Sequence, residues 1–336
     1  MTAGNGTYTG LSQNLGNDIT AAVEFITSKM DEIIEQEAAT SGMTPDPAFV
    51  QATQTAGTVK VATLETTGLG NYDKILGYPR GGAKLTWAEY GLQYDRAIGV
   101  TVDRADNMQT GGLVSAAAVM AETMRRQVIP EIDATRMAKL YASLYAQNSA
   151  NDNVKAIAKP TKANFVTTLT EAMDAVSNVT GSDEGMTLYI NNDLKSILDT
   201  STEISMTKDV NNPSTEVVKK IRTFNGAECK FVPANRMNTT ITLNDGYTNA
   251  LGTAGDLDSQ DPTKFGYTAG STPIWFAITT PGVANGVTAI NKPKIITAEV
   301  NQQYDGDTFL YRIFHDLIVP KNKTPAAYMA IKSGGA

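Results

Sequence analysis

From Gly112 to about Ala146, the residues Leu113, Ala117, Met120, Met124, Val128, Ile132, Leu140 and Leu144 recur at spacings of three, four and eight. That rhythm predicts one amphipathic helix, because positions so spaced fall on a single face. At 1.5 Å per residue it would run about 50 Å, longer than most helices of compact domains. Pro130 removes a backbone donor and should bend it near the middle. Such an element is a strut rather than the wall of a pocket, and the remainder of the chain must be arranged around it.

The second constraint is the stretch Gly68 to Tyr90. It holds Gly68, Gly70, Gly77, Pro79, Gly81 and Gly82, with too few apolar residues for a core of its own. It lies between a predicted strand, Val59 to Leu64, and a second run in which Leu92, Tyr94, Ile98, Val100 and Val102 share one face. A connection of this length must project. A long two-stranded ribbon is marginal alone in water, so it implies a partner surface beneath it.

Residues 1 to 16 read as a flexible arm. A helix is expected from about Asn17 to Ala39 on Ala22, Phe25, Ile26, Ile33 and Ile34. After the strut, Pro160 and Thr161 open a helix with Phe165, Leu169, Met173 and Val176 on one face and Thr161 as its N-cap. Strand Thr187 to Ile190, a short helix Asp193 to Leu198, and a hairpin of Val217 to Phe224 with Ala227 to Val232 about Asn225-Gly226 follow. Residues 244 to 272 read as a surface loop. Ile274 to Ile278, Lys294 to Val300, Thr308 to Val319 and Ala326 to Ile331 read as strands. The class is α+β, in two intertwined units.

Catalytic and metal chemistry finds little support. His315 is the only histidine and lies inside a predicted strand, where a structural role is the simpler reading. Cys229 is the only cysteine, which excludes an internal disulfide and a Cys-pair metal site. No phosphate-binding glycine motif is complete. Asp305 and Asp307 can be drawn as a metal pair for sugar transfer, yet turn chemistry explains them more simply. The net charge of −7 argues against a surface built to grip phosphates, though not against enclosing nucleic acid. No stretch approaches the about 18 to 20 uninterrupted apolar residues of a bilayer span, and the polar start carries no signal pattern. No cofactor, metal or membrane is expected.

Several segments together resemble the major capsid proteins of tailed bacteriophages, of the Hong Kong 97-type fold, almost end to end. The most specific are Leu85-Thr-Trp-Ala-Glu-Tyr-Gly-Leu-Gln-Tyr-Asp-Arg-Ala-Ile-Gly-Val-Thr-Val-Asp103 and Arg126-Gln-Val-Ile-Pro-Glu-Ile-Asp-Ala-Thr-Arg136. Val232-Pro233 with Arg236-Met237, Asn291-Lys-Pro-Lys-Ile295 and Tyr311-Arg-Ile-Phe-His-Asp316 follow in the family's order. The resemblance implies an N-terminal arm with helix (1–56), an extended β-hairpin loop (57–104), a peripheral domain on the long spine helix (105–158 and 291–336) and an α/β axial domain (159–290).

It further implies a virion protein, not an enzyme, that self-assembles into pentamers and hexamers of an icosahedral shell around double-stranded DNA. Assembly would take place in the host bacterial cytoplasm. No long helical prodomain is seen at the N-terminus, so a separate scaffolding protein is expected, together with a portal. Trp87, Tyr90 and Tyr94 are the candidate aromatic anchors of the extended loop, and Arg80, Lys84 and Arg96 its charge partners. Gly77, Gly81, Gly82 and Pro130 are the candidate hinges. The alternatives are a tail-tube or surface-layer subunit, or a carbohydrate- or metal-binding enzyme using Asp305 and Asp307.

Overall fold

The computed structural model describes residues 38–43, 50–52, 57–72, 74, 77–105, 116–182, 185–199, 223–247, 264–303 and 305–334. In chain order the strands are β1 (Val50–Ala52), β2 (Thr58–Thr66), β3 (Ala83–Gly91), β4 (Tyr94–Asp103), β5 (Val154–Ile157), β6 (Thr187–Asn191), β7 (Thr223–Phe224) and β8 (Ala227–Val232). They continue with β9 (Ile241–Leu243), β10 (Tyr267–Ala269), β11 (Ile274–Thr279), β12 (Asn285–Ile296), β13 (Gly306–Ile318) and β14 (Ala327–Lys332). The principal helices are α1 (Ala116–Thr123), α2 (Ile129–Tyr145) and α3 (Phe165–Thr180). Contacts divide the chain into two units: one includes Tyr94–Pro130 and Thr288–Phe314, the other Gly42–Gln93, Glu131–Val287 and His315–Ala336.

The larger unit is built on a six-stranded mixed sheet, β5-β14-β11-β6-β8-β7. Strand β11 lies inside it, antiparallel to β14 and β6, and all six of its residues are buried. That explains its unbroken apolar run, since a strand covered on both faces needs no alternation. Phe165, Leu169, Ala172, Met173 and Val176 of α3 pack on one face against Leu188, Ile190, Phe276, Ile278 and Ala330. Burying each large side chain contributes about 1.5–3 kcal/mol. Tyr189, Ala277 and Met329, which are register partners, are buried on the other face. The Asn225-Gly226 turn has φ of 44° and 84°, the paired positive values that join β7 to β8 tightly.

Helix α3 begins four residues later than its expected cap. Thr161 does not cap it: the Asn164 side chain turns back to accept from the Thr161 N–H (2.7 Å) and hydroxyl (2.9 Å). This closes a turn of its own before Phe165, and Gly181 ends the helix at φ 73°. The expected 244–272 loop contains β10, antiparallel to β9. The strand expected at Lys294 to Val300 is instead Asn285–Ile296. It stops there because the Thr297 carbonyl accepts from Val300 and Asn301, while Asp307 Oδ1 accepts from the Ala298 N–H (2.9 Å). Asp307 is thus engaged in a turn.

In the other unit β4 is hydrogen-bonded to β13, and β13 to β12. The inward face of β4 carries Tyr94, Arg96, Ile98, Val100 and Val102, as the alternation predicts. Gly306 is required where it stands: a Cβ there would lie 2.3 Å from the Val102 carbonyl oxygen.

The strut is present over 116–145, and residues 112–115 lie outside the described residues. Between α1 and α2 the backbone widens into a π turn, Met124–Val128, in which the Ile129 N–H donates to the Met124 carbonyl five residues back. The widened turn immediately precedes Pro130, which has no N–H for the Arg126 carbonyl. The boundary between the two units falls at this proline. The helix expected at 17–39, the strand residues 217–222 and the acidic stretch within 248–263 lie outside the described residues, except that Ala39–Gly42 form a 3-10 turn.

Candidate assembly surface

Strands β2 and β3 form a nine-pair antiparallel hairpin, from Thr58 opposite Gly91 to Thr66 opposite Ala83. The sequence pattern predicts a breaker-rich projection that includes 83–91; the breakers are confined to the tip, and 83–91 pairs throughout. Its two faces differ. On one, Val59 and Val61 are buried opposite Tyr90 and Ala88. On the other, Leu64 stands opposite Leu85 and Ala62 opposite Trp87, with Leu64 56 %, Leu85 53 % and Trp87 41 % exposed. A Lys60–Glu89 ion pair at 2.7 Å closes that face toward the root.

The tip adds Leu69, Tyr72 and Tyr78, all exposed, with the two tyrosine rings 5.1 Å apart. Of the ten large exposed hydrophobics among the described residues, six lie on this hairpin. A cluster of this kind on one element marks a contact surface, whereas scattered single residues do not. Between Thr67 and Lys84 the sequence carries Lys74, Arg80 and Lys84 and a single acidic residue, so this segment is cationic on a chain of net charge −7.

Of the six expected interface residues, Arg80, Lys84, Trp87 and Tyr90 are on the hairpin. Tyr94 and Arg96 belong to β4, in the other unit. The expected hinge glycines differ among themselves. Gly77 has φ 76° and open space at its Cβ position. Gly82 is clasped by Thr67, whose hydroxyl accepts its N–H (2.9 Å) and donates to its carbonyl (3.2 Å). A Cβ on Gly81 would meet the Thr67 hydroxyl at 2.5 Å. Leu64, Leu69, Tyr72, Tyr78 and Leu85 escaped the sequence reading. Their signal was present: apolar residues retained in a run with no core to join.

Behind the surface, Asp133 of α2 is fully buried and accepts from Arg236 Nη1 at 3.1 Å. The Arg136 guanidinium lies so close to Gly286 that a Cβ there would meet it at 2.8 Å. Burial lowers the Arg136 pKa, and the charge of Asp133 opposes the shift. These groups tie the strut to the loops around the sheet. His315 is buried in β13. Among the described residues there is no group of three or more His, Cys, Asp or Glu that could hold a metal, and no helix long and apolar enough to cross a membrane.

No family model and no curated protein matches the chain. Solved structures do. It is similar to a chain in the asymmetric unit of the bacteriophage PhiM1 mature capsid, with TM-score 0.50 and 10% identity, over 84% of this chain and 83% of that one. The capsid of cyanophage P-SCSP1u gives 0.49 at 9% identity over 85% and 86%, and a chain of Mycobacterium phage Bobi 0.49 at 11% over 89% and 91%. The α+β fold expected from the sequence resemblance is the fold found.

Proposed function

We propose that the chain is a shell-forming virion protein, the major capsid protein of a tailed bacteriophage. Copies join head to tail into pentamers and hexamers, and these tile a closed icosahedral shell around double-stranded DNA. Heterologous contacts close into rings when the rotation permits, and many modest contacts per subunit add to a stable shell. The observation that carries this reading is the match to the PhiM1 capsid chain over more than four-fifths of both chains.

In this reading 57–104 is the extended loop, 105–158 with 291–336 the peripheral domain and 159–290 the axial domain. The hairpin lies on a second copy of the chain. Its Leu64, Leu85 and Trp87 face supplies apolar contact, and Arg80 and Lys84 meet a surface made acidic by the excess of Asp and Glu. The DNA is enclosed without sequence-specific binding. Assembly takes place in the host cytoplasm with a scaffolding protein and portal, and the chain has no catalytic role.

The test is negative-stain electron microscopy with light scattering of the protein expressed alone and with a neighbouring scaffolding gene. Uniform closed particles or five- and six-membered rings are the expected result. Open tubes or flat sheets would instead identify a tail-tube or surface-layer subunit, and a persistent monomer under both conditions would overturn the shell reading.

A further inference from the structure

The hairpin is joined to β4 by two residues, Leu92 and Gln93. Leu92 is buried and its N–H donates to the Gly57 carbonyl at 2.8 Å. Gln93 is exposed, yet both of its ends are held. Its side-chain Oε1 accepts from Lys139 Nζ of α2 at 2.6 Å, and its backbone N–H donates to the carboxylate of Asp316 on β13. Asp316 is 3 % exposed; its Oδ1 also accepts from the Leu317 N–H at 2.8 Å, and its Oδ2 lies 3.6 Å from Lys139 Nζ. Gln93, Lys139 and Asp316 therefore close a ring within one unit of the molecule, at the point where the projecting hairpin leaves the body.

We propose that this ring is a proton-operated latch: with Asp316 ionised, the hairpin root is fixed to α2 and β13, and when Asp316 takes up a proton the root is released and the hairpin can re-aim. A buried carboxylate depends on its partners to stay charged, and a hydrogen bond to a charged acceptor is about twice as strong as one to a neutral acceptor. Burial is the largest influence on Asp316 and raises its pKa; Lys139 and the amides of Leu317 and Gln93 oppose it without cancelling it. From α2 the charged group facing the carboxylate is Lys139, and from the root it is the uncharged Gln93. His315, the titratable neighbour on β13, sits at the adjacent strand position, which points to the other face.

The sign of the linkage separates this device from an ordinary stabilising ion pair. A carboxylate whose folded pKa is raised costs global stability while it is ionised, and that cost disappears as pH falls through the raised value. Acidification therefore loosens the root locally while it relieves the fold globally. Asp316→Asn, which resembles the protonated acid, should leave the global melting temperature at neutral pH unchanged or raised and yet open the root.

The experiment is hydrogen exchange by mass spectrometry on the full-length protein between pH 4 and 8, corrected for intrinsic rates. It follows the peptide spanning Leu92–Tyr94 against one in β11. Loss of one charge-assisted bond should speed exchange at the root by roughly tenfold to a hundredfold, with a midpoint above the ordinary aspartate range. Asp316→Asn should show fast root exchange at every pH, and Asp174→Asn, which removes an exposed acid on α3 far along the chain, should behave as wild type. Lys139→Gln removes the counter-charge and should move the midpoint upward; it carries the test if Asp316→Asn does not fold. Root protection that is independent of pH, or a midpoint unmoved by Lys139→Gln, overturns the proposal. The measurement reads a single subunit, so its outcome is separate from whether the chain builds a shell.

Discussion

Replacing Leu64 and Leu85 together by serine tests the hairpin face directly, because the two stand opposite each other with 56 % and 53 % of their surface uncovered. Complete burial of a leucine is worth about 1.5–3 kcal/mol, so covering the exposed half of each contributes about 1 kcal/mol, and about 2 kcal/mol per subunit for the pair. At 1.4 kcal/mol per tenfold, the free-subunit concentration in equilibrium with particles should rise about 30-fold. Sedimentation of assembled from unassembled protein at fixed ionic strength measures that concentration. The control is the melting temperature of the unassembled subunit, since a cross-strand pair is worth only about 0.2–1 kcal/mol and its loss should lower that temperature by less than about 4 °C. If assembly fails because the fold fails, the melting curve will reveal it. A free-subunit concentration within about twofold of wild type, with normal particles, would mean that this face stays in solvent and that the reasoning from exposure is wrong.

Asp133→Asn should cost about 3–5 kcal/mol in denaturant unfolding of the subunit, because it leaves Arg236 facing a buried neutral group. Gly306→Ala should cost about 1–3 kcal/mol and raise hydrogen exchange in β4, since the new Cβ falls 2.3 Å from the Val102 carbonyl oxygen and the two strands must part. Pro130→Ala restores a helical donor next to the π turn, so protection at 124–130 should increase and particle size or yield should change; unaltered shells would show that the widened turn has no part in assembly.

The sequence made the core legible wherever burial imposed a period. The Phe165, Leu169, Met173 and Val176 stripe and the β4 alternation were found in place because one face of each element is covered and the pattern records it, and the Asn225-Gly226 turn because its two positive φ values call for those residues. The failures share a cause as well. Strand β12 was misplaced because its end is set by Asp307, whose carboxylate reaches back from later in the chain to accept from the Ala298 N–H, which no local pattern carries. Thr161 looked like a cap because a threonine after a proline usually is one, but its hydroxyl and N–H both donate to Asn164 Oδ1, which places Thr161 in a turn ahead of the helix.

Strand β3 was missed for a different reason, and it bears on function. Its burial pattern is almost uniformly exposed, so within the subunit it has no inside face to alternate against. A strand that pairs over nine residues, keeps Leu85 and Trp87, and still shows no periodicity in its own burial has been selected for something other than the subunit's core. The same holds for the cationic tip and for the latch at the root, whose buried Asp316 is less economical for stability than an apolar residue would be. Core residues can be understood from one copy of the chain. The proposed assembly accounts for the hairpin: a second copy covers its exposed Leu64, Leu85 and Trp87, and the proposed latch at its root sets the angle at which it meets that surface.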